Sequence, residues 1–229
     1  YSSSRLPALL SLLSEFSGGY ELFCGHTHFA INHETEIDGH HVIEHCHAAA
    51  CGNIWQSNIN ICGTPNGYYV YTFRGGRMVS CYYKGTFWDA HKQMTLFHAD
   101  TDFNGESYAA DWDLPRDRRI IVANVFNADS RWRITAEENG VEYPMHRINS
   151  KGQDAFATGY HHKYAVATSF RFISKQNSYL IMNHLYYYEP KSAESKIRII
   201  ARDPYGHTFT EDAENIVTEP FFNYAHYYK

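Results

Sequence analysis

Two imidazoles stand one residue apart in Gly25-His26-Thr27-His28, directly after the short apolar run Leu22-Phe23-Cys24. Imidazole binds zinc, iron and manganese through a neutral ring nitrogen, so His-x-His at a strand end delivers two ligands from one rigid edge. In extended backbone, residues two apart share a face, which predicts that His26 and His28 aim together. The same spacing recurs at His45 and His47 in Glu44-His45-Cys46-His47. Gly25 permits a tight turn of the backbone toward a metal. His26, His28 and either His45 or His47 have the spacing of a mononuclear site, although no general base is placed beside them. The chain has 15 histidines. The others show no partner pattern and read as ordinary solvated or hydrogen-bonded side chains.

These residues need elements to hold them. Leu6, Leu9, Leu10, Leu13 and Phe16 form a one-sided stripe that predicts a helix over residues 5–16, capped by Ser3 or Ser4 and ended by Gly18-Gly19. Tyr20–Cys24 reads as a short buried strand, with the histidine loop just beyond its carboxyl end, where α/β layers collect ligands. From His41 the chain alternates, and YYVYTF and RMVSCYYKG predict a hairpin around Gly75-Gly76. From about residue 92 it reads as all-β, with no convincing helix. RRIIVANVFNA, RWRITAEENGVEYPMHRI, YAVATSFRFIS, SYLIMNHLYYYEP and KIRIIARDPYGHTFTEDA are strand-like runs, with turns at Glu138-Asn139-Gly140 and Asp203-Pro204-Tyr205-Gly206. The fold class is therefore mainly β: a small α/β part at the N-terminus, then an antiparallel β-sandwich.

Composition sets limits. With 229 residues and 44% hydrophobic content the chain can bury a real core. A net charge of -5 and no basic stripe argue against nucleic acid as a stable partner. No apolar run approaches the roughly 18 residues of a membrane span. All five cysteines, Cys24, Cys46, Cys51, Cys62 and Cys81, lie in the first part of the chain with no Cys-x-x-Cys, and read as buried thiols in strands. The 19 tyrosines, with Trp88 and Trp112, leave open a non-catalytic, glycan-binding module, although consecutive strand tyrosines more often pack a sheet.

CGHTH after a helix and a strand resembles the last metal-ligand motif, Gly-His-x-His, of the calcineurin-like metallophosphoesterases. EHCHAAACGNIW, GTPNGYYVYTF and VSCYYKG resemble the closing strands of the catalytic domain in a bacterial branch of that family. IIVANVFNAD, LYYYEP and IRIIARDPYGHTFTED are similar to the C-terminal β-domain of that branch. The resemblance implies the end of a catalytic domain over residues 1–90 and a β-sandwich domain over 91–229. It also implies a phosphate-ester substrate and a divalent metal pair (Mn, Fe or Zn) about 3.5–4 Å apart that activates a bridging hydroxide. Carried onto this chain, His26 would ligate one metal and His28 the other. Gly25 would supply the close approach, and His45 and His47 would line the neighbouring strand edge. A periplasmic or other extracytoplasmic location is implied by the branch alone.

The family's earlier motifs, Asp-x-His, Gly-Asp-x-x-Asp, Gly-Asn-His-Glu and a further His, precede Gly-His-x-His. No residue before Gly25 is an Asp or a His, and Gly52-Asn53 is followed by Ile54. Asp38-Gly39-His40 comes after the loop, in an expected turn. Without a bridging carboxylate in this order the chain is expected to hold no complete metal pair and to hydrolyse nothing by itself. The strand before the loop is expected to lack sheet neighbours, which makes a homodimer through that edge plausible.

Overall fold

The computed structural model describes residues 5–16, 20–37, 40–51, 58–103, 105–107, 109, 112–148, 150–151, 154–164 and 181–216. Helix α1 (Leu6–Leu13) starts with proline in its first turn, where a missing N–H costs nothing, and without a side-chain cap. It is shorter than its apolar stripe. Leu10 is buried, while Phe16 lies past the helix end and is exposed. The expected caps and Gly18-Gly19 lie outside the described residues.

A first sheet has the order β1-β3-β2, from β1 (Leu22–Cys24), β2 (Ile31–Ile37) and β3 (His40–Cys46). Strand β1 runs parallel to β3, and β2 antiparallel to it. Strands β4 (Gly67–Arg74) and β5 (Arg77–Gly85) form the expected hairpin, with Gly75 and Gly76 at φ 55° and 77°. Next come β6 (Met94–His98), β7 (Asp102–Phe103), β8 (Glu106–Ser107), β9 (Ile121–Val125), β10 (Arg133–Glu138), β11 (Val141–Pro144), β12 (His146–Arg147) and β13 (Ser150–Lys151). Helix α2 (Ala155–Tyr164) precedes β14 (Ile181–Met182), β15 (Leu185–Tyr188), β16 (Ile197–Arg202) and β17 (Thr208–Asp212). The molecule is mainly β, as expected.

Two antiparallel sheets, β12-β15-β9-β6 and β11-β10-β16-β17, face each other. Ile121, Ala123 and Val125 of β9 point into a core shared with Ile134, Ala136, Ile199 and Phe209 of the facing sheet. Val122 points the other way, into a second core with Ile59, Cys62, Tyr83, Phe156 and Tyr160. Burial on both faces explains why IVANV is apolar at every position but Asn124. The second core takes residues from both sides of position 90, so the first sheet's segment and the sandwich share their packing. Asn139 and Gly140, at φ 51° and 85°, turn β10 into β11, and Gly206 at φ 94° lies in the β16–β17 turn.

Helix α2 corrects the expectation of an all-β chain after residue 92. Residues 154–161 are all buried, so the segment carries no one-sided apolar stripe for periodicity to find. Asp154 caps it through Oδ1, which accepts the Ala157 N–H at 2.8 Å. Gly159 sits where a Cβ would come 2.9 Å from Phe103 Cδ1 and closer still to its carbonyl oxygen, so the contact requires glycine. The expected strand YAVATSFRFIS lies almost wholly outside the described residues.

Asn124 ties the seam together. Its Nδ2 donates to the Cys62 carbonyl at 2.8 Å and to Asp154 Oδ2 at 3.2 Å, which leaves Oδ1 to accept from His184 Nδ1 at 2.8 Å. Burial, with the charge of Arg147 adding to it, holds His184 down at about 4. Below the ordinary histidine range near 6.5 the unfolded chain binds the proton that the folded one refuses. This contribution to stability is therefore complete above about pH 6.5 and lost as pH falls toward 4, roughly 3 kcal/mol in all. The unfolding free energy from urea titrations should drop between pH 7.5 and 4.5 by about 2–3 kcal/mol more for the parent than for His184→Gln; equal drops would contradict the assignment.

Candidate functional site

The loop that follows β1 is not extended. Gly25 has no positive φ, and a Cβ added there would meet no atom within 4 Å. The turn is made by the histidines, with His26 at φ 80° and His28 at φ 60°. The period-two argument for a shared face therefore does not apply: two left-handed residues flank Thr27, and each reverses the chain locally. Thr27 Oγ1 lies 2.8 Å from Cys46 Sγ, and the His47 N–H donates to the Cys24 carbonyl at 2.9 Å, which extends the β1–β3 pairing under the loop. His26 is exposed and His28 half-buried, with Nδ1 of His28 shielded from solvent and without a protein partner.

Left-handed backbone at a non-glycine residue costs about 1 kcal/mol or more. His26→Gly is therefore expected to raise stability by about 1 kcal/mol while removing an imidazole. A urea midpoint at or below that of the parent would show that His26 is not strained.

His45 is 1% exposed, and both of its ring nitrogens are engaged. Asn32 Nδ2 donates to the Asn127 carbonyl at 3.2 Å and to Asp129 Oδ2 at 3.1 Å, so its Oδ1 accepts from His45 Nδ1 at 2.9 Å. Glu21 Oε2 stands 3.2 Å from Nε2, and the Phe23 ring stacks on the imidazole at 5.4 Å. The line His45–Asn32–Asp129 runs from the first sheet into the sandwich. Asp129 is fully buried and grips Arg131 through Nε at 3.1 Å and Nη2 at 2.7 Å. Burial alone would depress Arg131, but the hydrogen bonds and charge of Asp129 carry it upward.

His47 follows the end of β3 and stacks on Tyr69 at 4.5 Å. Burial and then the neighbouring His45 push it below the ordinary histidine range, while burial pushes Tyr71 up. Both groups are thus neutral, and His47 Nε2 and the Tyr71 hydroxyl share a hydrogen bond at 2.8 Å. Neither His45 nor His47 joins His26 and His28. Among the described residues no group of three or more His, Cys, Asp or Glu side chains converges on a point that could hold a metal ion. A dinuclear centre needs carboxylate as well as imidazole. The described residues of this chain do not make up such a centre.

Other arrangements bear on chemistry. Asp203 Oδ2 lies 2.6 Å from His207 Nδ1, whose Nε2 is 3.5 Å from Ser80 Oγ, the order of groups in a serine nucleophile triad. Ser80, however, sits mid-strand opposite Thr72 rather than on an exposed turn, and the Ser80–His207 distance is too long for proton transfer. The group instead joins the β16–β17 turn to β5. A cavity of about 870 Å³ opens at the Ile121 end of β9, lined by His98, Arg118, Glu137, Ser195, Arg198 and Asp212 among others, with no Phe, Tyr or Trp. Tyr186, Tyr188 and Trp112 are buried, and Trp88 is half-buried against the core, so these rings pack the core rather than form a sugar platform. Tyr227-Tyr228 lies outside the described residues.

A family profile describing the C-terminal region of calcineurin-like phosphoesterases matches residues 44–209. The chain belongs to the calcineurin-like phosphoesterases. The match takes in His45, His47 and the sandwich as far as the start of β17, and begins beyond the Gly25–His28 loop. No curated protein and no solved structure matches the chain. Sequence reasoning missed Asn32, Asp129 and Glu21, which no motif marks. The Tyr69 and Tyr71 pair carried a usable signal, since residues two apart on β4 share a face.

Proposed function

We propose that this chain is the C-terminal portion of a metal-dependent phosphohydrolase, in which His26 and His28 ligate the two members of a divalent metal pair. In the complete enzyme that pair supplies the hydroxide that attacks a phosphate ester. The reading is carried by one observation: the loop beyond the carboxyl end of β1 presents two imidazoles from strained backbone, one with a shielded, unpartnered nitrogen. His45 and His47 then act as supports. His45 holds Glu21 and Phe23, on either side of Leu22, and His47 closes the β3 end of the loop's base. Zn, Fe and Mn all suit imidazole, and the carboxylates that choose among them lie elsewhere.

By itself the chain is expected to be inactive. A chain that also carries the four earlier motifs should hydrolyse an aryl phosphate with Mn²⁺ present, and His28→Ala should reduce that activity by about 100-fold or more. Undiminished hydrolysis in the variant would remove His28 from the centre. The reading further has β1, an edge strand with β3 as its described neighbour, covered by another strand of the enzyme or by a second copy. It also places the protein outside the cytoplasm. No described helix is long and apolar enough to cross a membrane.

A further inference from the structure

Cys24 ends β1, Cys46 ends β3, and the two are register partners on adjacent parallel strands. Register partners point to the same face, and their Cα atoms stand about one strand spacing apart, roughly 4.8 Å, inside the 4.4–6.8 Å range a disulfide spans. The two thiols are in hydrogen-bonding contact with each other, and burial first, then Cys46 and the Glu44 carboxylate it contacts, push the Cys24 thiol up, so its attack is slow. Neither is joined in a disulfide in this structure. Cys46 is buried and Cys24 half-buried, so an incoming reagent meets Cys24 first. The other two buried thiols are differently placed: Cys62 Sγ accepts the Ala30 N–H at 3.1 Å and Cys81 Sγ accepts from Asn127 at 3.2 Å.

The geometry points to Cys24 and Cys46 as a redox modification site, a dithiol that closes to a disulfide across the base of the Gly25–His28 loop and reopens on reduction. The oxidant is a small-molecule disulfide of the glutathione type. Cys24 sulfur attacks one of its sulfurs, forming a mixed disulfide and releasing one glutathione thiol. Cys46 sulfur then attacks Cys24 sulfur and releases the second. The protein loses two electrons and two protons, and the reagent's disulfide gains both as two thiols. The bond would fix the carboxyl ends of β1 and β3 to each other, one residue before Gly25 and one before His47. Cys46 would lose the S–H through which it can donate to Thr27 Oγ1, 2.8 Å away. The proposal does not rest on the phosphohydrolase reading.

The folded chain is incubated with oxidised glutathione, acid-quenched, alkylated, digested and mapped by mass spectrometry. The expected result is one linked peptide pair, Cys24 to Cys46, lacking two hydrogens and returned to two alkylated thiols by reduced glutathione. Cys62 and Cys81, both buried, should remain open to alkylation after denaturation, and Cys51 should appear in no linked pair. In Cys46→Ser, Cys24 should stop at the mixed glutathione adduct. A parent chain in which Cys24 and Cys46 stay alkylatable in excess oxidised glutathione, or in which Cys24 carries only the glutathione adduct, would overturn the proposal. So would a link that joins other cysteines.

Discussion

Gly63→Ala is expected to lower the unfolding free energy by about 4–5 kcal/mol. Gly63 has φ +81°, so a side chain there first meets the left-handed penalty. Its Cβ would also stand 2.6 Å from Asp154 Cγ and closer still to Asn124 Nδ2. Neither neighbour can yield cheaply. Asn124 is fixed by Cys62, Asp154 and His184, and Asp154 caps α2 while its own N–H donates to the Ile61 carbonyl at 3.1 Å. Moving either leaves a buried polar group unpaired, at about 1–3 kcal/mol each. Urea unfolding followed by fluorescence measures the change. A loss below about 1 kcal/mol would mean that this seam repacks freely.

Asp129→Ala is expected to cost about 4–5 kcal/mol, because it strips the partner from a largely buried guanidinium and a second acceptor from Asn32. Arg131 keeps 28% of its side-chain surface exposed, which places the cost near but not above the range for breaking a buried pair. Asp129→Asn retains one acceptor oxygen and most of the shape, and should lose about half as much. The two variants also test the line through Asn32 to His45. The His45 ring resonances should shift in Asp129→Ala, since Asn32 Nδ2 loses one of the three acceptors that set its amide. Unmoved resonances would separate Asp129 from the support of the loop.

The fold was legible wherever local chemistry is distinctive. Asn139-Gly140 and Gly75-Gly76 mark their turns because those positions need positive φ. The β-branched and aromatic runs around them read as strands. Strand β2 was not legible: INHETEI places Asn32, 4% exposed, on the buried side, where a strand pattern calls for an apolar residue. Asn127 and Asp129, nearly a hundred positions away, and His45 on the neighbouring strand satisfy its amide and make that burial tolerable. Helix α2 hid for the opposite reason, since its residues 155–161 are all buried and show no polar face. At the loop, residue types located His26 and His28. Their left-handed backbone was not legible, because no Gly or Asn announces it. His45 and His47 read as members of a site, but their partners Glu21, Asn32 and Tyr71 are assembled by tertiary packing alone.

The central claim is that this chain carries two ligands of a metal pair and does not complete the centre. Metal content of the purified chain, measured by elemental analysis after exhaustive dialysis, tests it most directly. The expected result is well under one equivalent of Mn, Fe or Zn per chain, unchanged in His26→Ala and His28→Ala. One or more equivalents retained by the parent and lost in either variant would contradict it, and would mean that His26 and His28 belong to a site the chain builds by itself.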